Sequence, residues 1–140
     1  MGVEVYLIFN GNCREAAEFY AEAFKTDKPV IQTFGEAHND PNFEMPEEVK
    51  NLVMHTRLNI AGSRVMFSDN YPGQPFVVGN NVTVAVTSDD EEYLRSSFEA
   101  LKEGGVVTME LQETFWTKAY GALKDKFGVE WQFNHEVAEG

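Results

Sequence analysis

Two hydrophobic periods take turns along this chain, an alternation suited to strands and a three-to-four-residue spacing suited to helices. Val3 to Phe9 is apolar and β-prone and reads as a strand. Asn12 follows, with Glu15 three residues on, a pattern in which the two side chains satisfy the free N–H groups of a helix start. Ala16, Phe19, Tyr20, Ala23 and Phe24 then recur at helical spacing, with Arg14, Glu15, Glu18, Glu22 and Lys25 between them. This predicts a helix that lays an aromatic stripe on a sheet and ends before Pro29. Val30 to Phe34 reads as a second strand, Val53 to Ile60 as a third and Arg64 to Ser68 as a fourth, the last two joined by a tight turn at Ala61-Gly62-Ser63. Residues 35–51, GEAHNDPNFEMPEEVKN, break the pattern with Gly35, Pro41, Pro46 and many acidic side chains. They predict a mobile loop with a helical turn at Pro46–Lys50, placed to act as a lid.

After a Pro- and Gly-containing linker at 70–80 the series starts again. Val82 to Val86 reads as a strand, Asp89 as a helix cap with Glu92 at the reciprocal position, and Tyr93, Leu94, Phe98 and Leu101 as a buried stripe ending at Gly104-Gly105. Further strands are expected at Val106–Leu111, near Trp116–Leu123, and at Val129–Asn134 after a turn at Asp125–Gly128. Shifted by about 77 positions, Val5, Leu7 and Phe9 fall on Val82, Val84 and Val86, Asn12 on Asp89 and Phe24 on Leu101. The expected organisation is one domain over residues 1–140, with module one at 3–69, the linker at 70–80 and module two at 81–135. A two-fold repeat of this kind usually leaves a cleft between its halves, where a small molecule would sit.

Composition narrows the function classes. Apolar residues are 43% of the 140, enough for a core without disulfide or metal staples. The net charge of −12 repels nucleic acid and anionic membrane surfaces, so neither is an expected partner. A single cysteine, Cys13, excludes an internal disulfide and Cys-based zinc motifs; an inert structural thiol is the favoured reading for it. The first residues, MGVEVYLIFNG, lack the basic-then-apolar order of a secretory signal, and no apolar run approaches the roughly 20 residues of a membrane helix. The default expectation is a cytoplasmic protein.

The stretches YLIFNGNCREAAEFY, MHTRLNIAGSRVMFSDN, ETFWTKAYG and DKFGVEWQFN, set in two βαβββ modules, resemble the PhnB-like branch of the glyoxalase/bleomycin-resistance/dioxygenase superfamily, also called vicinal oxygen chelate proteins. The resemblance implies an α+β fold of two curved half-barrel sheets with helices outside, a pocket on the concave side, and a homodimer. It also implies, where members are enzymes, a divalent metal held by His, Glu or Gln on the first and last strands of each module. Those positions fall here on Val5, on Phe67 or Ser68, on Asn81 or Val82, and on Gln132. Neutral amides substitute poorly for imidazole and carboxylate. No superfamily-type metal and no cofactor are therefore expected. The branch's label suggests a methyltransferase, but no glycine-rich loop follows a strand to hold a nucleotide cofactor.

His55, inside the apolar strand VMHTRLNI, is the candidate acid or base, since imidazole titrates near neutrality. Asp69, ending the MFSD run, is the candidate orienter of that ring across the hairpin. Phe67, Ser68, Phe115, Trp116, Tyr120, Gln132 and Asn134 are the candidate ligand-binding residues: flat rings to stack a ligand, and amides on one face of the last strand to hydrogen-bond it. Trp131 and Phe133 share the other face of that strand. His38, Asp40, Glu44, Glu47 and Glu48 cluster in the long loop at no calcium-binding spacing and read as solvated charge. The expected function is a metal-independent small-molecule binder. The alternative is an enzyme acting on a small metabolite with His55 as acid/base.

Overall fold

The computed structural model describes residues 2–37 and 44–137. Its elements are β1 (Val5–Phe9), α1 (Cys13–Ala23), β2 (Gln32–Thr33), α2 (Phe34–Ala37), α3 (Glu47–Lys50), β3 (Val53–Ile60) and β4 (Ser63–Asp69). Then come β5 (Val84–Ser88), α4 (Glu91–Leu101), β6 (Val106–Gln112), β7 (Tyr120–Lys124) and β8 (Glu130–His135). They form two four-stranded mixed sheets with helices, ordered β1-β4-β3-β2 and β5-β8-β7-β6, neither closed into a barrel. In each, the first strand runs parallel to the last, and the remaining neighbours are antiparallel. The repeated βαβββ order expected from the sequence is therefore present.

The repeat is offset differently in its strands than the shift of about 77 implies. Leu7 pairs with Phe67 and Val86 with Phe133, which makes Val86, not Val84, the counterpart of Leu7. The reason is the two-residue period itself. A slip of two keeps every side chain on its own face, so an alternating pattern cannot detect it. Asp90, one residue later than expected, is the cap of α4, and its side chain accepts from Tyr93 N–H at 3.0 Å. The second strand is cut to Gln32–Thr33 because Thr33 and Glu36 exchange reciprocal bonds, with Glu36 N–H donating to Thr33 Oγ1 at 3.2 Å. That capping box starts α2 where the sequence pattern continued a strand.

By contacts the chain divides into one compact unit of Met1–Ala21 and Thr26–Val77, and another of Glu22–Lys25 and Val78–Gly140. In the first, Tyr20 of α1 stacks on Phe67 of β4 at 5.7 Å, with Phe9 6.3 Å from both rings. In the second, Phe24 lies 5.3 Å from Trp131 and 6.2 Å from Phe133, and Phe98 of α4 meets Phe133 edge-on at 5.4 Å. Gly121 makes that contact possible. A Cβ there would come within 2.9 Å of Phe98 and of the Leu111 backbone, so the ring lies on bare main chain.

Candidate functional site

Strand alternation sorts the candidates by face. In the first unit Phe9, Thr56, Leu58, Ile60, Val65 and Phe67 are buried on the side that α1 covers. Tyr6, Ile8, His55, Arg57, Asn59 and Met66 lie on the opposite, open face, where Tyr6 and Ile8 keep 44% and 52% of their surface in solvent. Phe67 is thus a core residue, fully buried against Tyr20 and Phe9, and not part of a ligand surface. Its neighbour Ser68 points the other way, beside Ile8 and one step from the Thr56–Phe67 pair, which puts it next to His55.

His55 finds a partner that sequence reasoning missed. The Tyr6 hydroxyl lies 3.1 Å from its Nδ1, and the two rings tilt together at 5.8 Å. Asp69 is on the opposite face and is engaged elsewhere. One carboxylate oxygen accepts from Gly11 N–H and Cys13 N–H, the other from Val53 N–H, each at 2.9 Å. Those bonds place negative charge on the first N–H groups of α1, as a helix start favours, and tie in the start of β3. Asp69 therefore holds the fold of its unit together, and the expected Asp69–His55 pair is replaced by Tyr6–His55. The signal available for Tyr6 was its alternation with Val5 and Leu7, which puts it on the same face as His55 once β4 lies between them.

Cys13, beside the same carboxylate, is fully buried. Burial, followed by the charge of Asp69, pushes its thiol up to about 12 against an ordinary value of 9.0. The helix N-terminus does not make it a nucleophile.

In the second unit Trp131 and Phe133 face the helices, so Gln132 and Asn134 lie on the open face. Asn134 pairs across the ladder with Tyr120, and Gln132 with Ala122. The Tyr120 hydroxyl donates to Gln132 Oε1 at 3.0 Å, and Trp116 stands edge-on to the Tyr120 ring at 5.4 Å. Trp116 lies outside the strand expected to contain it, because Thr114 N–H donates to Thr117 C=O at 2.9 Å and closes a turn. That turn exposes Phe115 almost entirely (97%) and Trp116 by half (54%). A recess of about 750 Å³ opens beside it, with Trp116, Thr117, Lys118 and Asn134 in its wall. Asn134 Oδ1 is buried and has no hydrogen-bond partner. The structure thus gathers Trp116, Tyr120, Gln132 and Asn134 in one unit and His55 with Ser68 in the other.

Tyr120 and His55 occupy equivalent places. Each precedes the residue that pairs with the central phenylalanine of its sheet, Gly121 with Phe133 and Thr56 with Phe67.

The donors on these faces do not fit the superfamily's metal. Val5 is on the covered side, Asn81 and Val82 precede β5, and the strand residues on the open face there are Ala85 and Thr87. With Tyr6 and Gln132 this set offers no carboxylate and no first-strand imidazole. Among the described residues no three of His, Cys, Asp and Glu gather within reach of one ion. His38 and Asp40 of the acidic loop lie outside the described residues. Among the described residues, no helix is long and apolar enough to cross a membrane.

Two βαβββ units, each a mixed sheet with one broad helix against it, define a protein of the glyoxalase/bleomycin-resistance fold. A glyoxalase/bleomycin resistance protein from Albidiferax ferrireducens T118 shares that fold at a TM-score of 0.64 and 14% identity, over 97% of this chain and 99% of that one. The chain belongs to the PhnB-like family whose model carries the description 3-demethylubiquinone-9 3-methyltransferase; the match runs over residues 2–134. It is 33% identical to Protein YjdN of Escherichia coli (strain K12), over 96% of this chain and 95% of that protein. Among solved structures it is similar to protein PA1353 from Pseudomonas aeruginosa, with a TM-score of 0.81 and 35% identity over 97% and 98% of the two chains. A PhnB protein from Bacillus cereus matches with a TM-score of 0.71 and 27% identity over 97% and 100%.

Proposed function

We propose that this protein binds a small, partly aromatic molecule without a metal, on the open face of its second unit. Trp116 and Tyr120 supply the flat apolar surface, and Gln132 and Asn134 the hydrogen bonds that orient the ligand. The observation that carries this reading is the recess of about 750 Å³ whose wall combines the half-exposed Trp116 with Asn134. Its donors suit an organic ligand better than an ion. The family's description names a methyl transfer, but a glycine-rich nucleotide loop after a strand is not among the motifs of this chain. Sequestration is the simpler role for such a face. A homodimer is the assembly that the superfamily resemblance supports; sedimentation of the purified protein measures it.

The test is a thermal-shift screen of planar metabolites, followed by calorimetry on the parent and on Trp116→Ala, with metal analysis of protein purified without chelator. A ligand that raises Tm and loses at least about tenfold in affinity in the variant supports the reading. Unchanged affinity in the variant, or one equivalent of zinc, nickel or iron in the parent, sinks it.

A second reading is favoured by the Tyr6–His55 contact of 3.1 Å. In it His55 moves a proton on a bound metabolite, and the phenol orients the ring. His55→Gln would then abolish turnover and keep binding. A parent protein that binds tightly and turns nothing over excludes it.

A further inference from the structure

Asn134 is the odd residue of the second unit's open face. Its ladder partner Tyr120 spends its hydroxyl proton on Gln132 Oε1, 3.0 Å away, and so offers Asn134 no donor by that bond. Asn134 Oδ1 is left buried and unbonded, although the residue lines a recess of about 750 Å³. A buried acceptor without a donor destabilises a fold, and each such case in a native structure calls for a cause. The amide torsion that carries this oxygen joins a tetrahedral to a planar carbon and is soft, so a modest rotation within its broad well brings Oδ1 to the recess that Asn134 lines. Thr117, Lys118, His135 and Glu136 stand in the same wall, and Gln132 and Tyr120 lie on the adjoining strand face. Gln132 keeps its amide N–H groups, since Tyr120 bonds only its oxygen, and the Tyr120 oxygen retains lone pairs. Trp116, edge-on to Tyr120 at 5.4 Å and half exposed, offers the flat wall.

We infer that the recess selects planar rings carrying an N–H or O–H donor on their edge, and that Asn134 Oδ1 is the atom that reads that donor. The inference rests on the proposed ligand face of the second unit and names the ligand's chemistry there. A ring with a donor satisfies the orphan acceptor. A ring of the same outline with only acceptors leaves it orphaned and adds lone pairs against it. Sites that hydrogen-bond a ligand N–H or O–H reject the analogue lacking it far more strongly than apolar pockets reject a missing methylene.

The experiment uses two probes of one shape, indole with a ring N–H and benzofuran with a ring oxygen, titrated by ligand-observed NMR against the whole chain. The parent is expected to prefer indole by about tenfold or more. Asn134→Leu should erase that preference and, by removing an unbonded buried acceptor, raise Tm without ligand. Asn134→Asp, which keeps an acceptor, should retain the preference. Equal binding of the two probes, or a preference that survives Asn134→Leu, overturns the role of Asn134 while leaving a planar-ligand face standing. Failure of both rings to bind at millimolar concentration overturns the face and the inference together.

Discussion

The hydroxyl of Tyr6 lies 3.1 Å from Nδ1 of His55, across the strand β4 that separates their own strands. If the phenol donates, the neutral imidazole must carry its proton on Nε2. Tyr6→Phe is then expected to release the Nε2 tautomer preference, read directly in long-range ¹H–¹⁵N spectra of the imidazole. The contact is exposed, so the stability change should stay below about 1 kcal/mol. A parent imidazole protonated on Nδ1 would show that the phenol accepts instead, and an unchanged tautomer in Tyr6→Phe would show that it does not orient the ring.

Asp69 is expected to act on stability and not on chemistry. Its carboxylate collects three backbone N–H groups from Gly11, Cys13 and Val53, each at 2.9 Å. Asp69→Asn keeps the shape but removes the charge and leaves one side of the group a donor facing donors. Urea unfolding should show a loss of about 2–4 kcal/mol, since bonds to charged groups are worth about 1.5–3 kcal/mol each and orphaned buried donors add to the cost. A variant as stable as the parent but unable to act on any substrate found would restore a catalytic role for Asp69.

Cys13 supplies a pH dependence with a definite sign. Its thiol is pushed up to about 12 by burial and by Asp69, against 9.0 for an ordinary cysteine. Below the ordinary value both folded and unfolded chains hold the proton, and the group does not alter stability. Between about 9.0 and 12 the unfolded chain loses a proton that the folded chain keeps, so stability falls as pH rises. Comparing urea unfolding of parent and Cys13→Ala from pH 8 to 11 isolates this slope: the parent should lose stability faster. The same burial should leave the native thiol silent to aromatic disulfide reagents at pH 8 until urea is added. Rapid native labelling would contradict the burial.

Much of the scaffold was legible before any coordinates. The span Val53–Ile60 matches residue for residue, because a turn with Gly62 bounds an uninterrupted β-prone run. That Trp131 and Phe133 share one face of β8 and Gln132 and Asn134 the other followed from alternation alone; the ring contacts with Phe24 and Phe98 show that the aromatic pair is the inward one. Phe67 was misplaced for a related reason. Alternation says that Phe67 and Ser68 face opposite ways, but not which one faces the helix; the stack of Tyr20 on Phe67 settles it. Asp69 and His55 seemed near because they flank one hairpin, whereas strand parity sets them on opposite sides of the sheet.

The sequence by itself determined the repeated βαβββ order, the two long helices and which residues of each strand share a face, since these are local matters of period, capping and turn chemistry. Tertiary structure alone decided which strands become neighbours, and with them every partnership that bears on chemistry. Tyr6 meets His55, Tyr120 meets Gln132, and Asp69 meets the start of α1 through pairings between residues 12 to 58 positions apart, and in the first case 49. Such contacts depend on strand order and register, which hydrogen bonding and packing across the whole sheet select. A two-residue slip is invisible in the pattern of side chains and changes every neighbour in space.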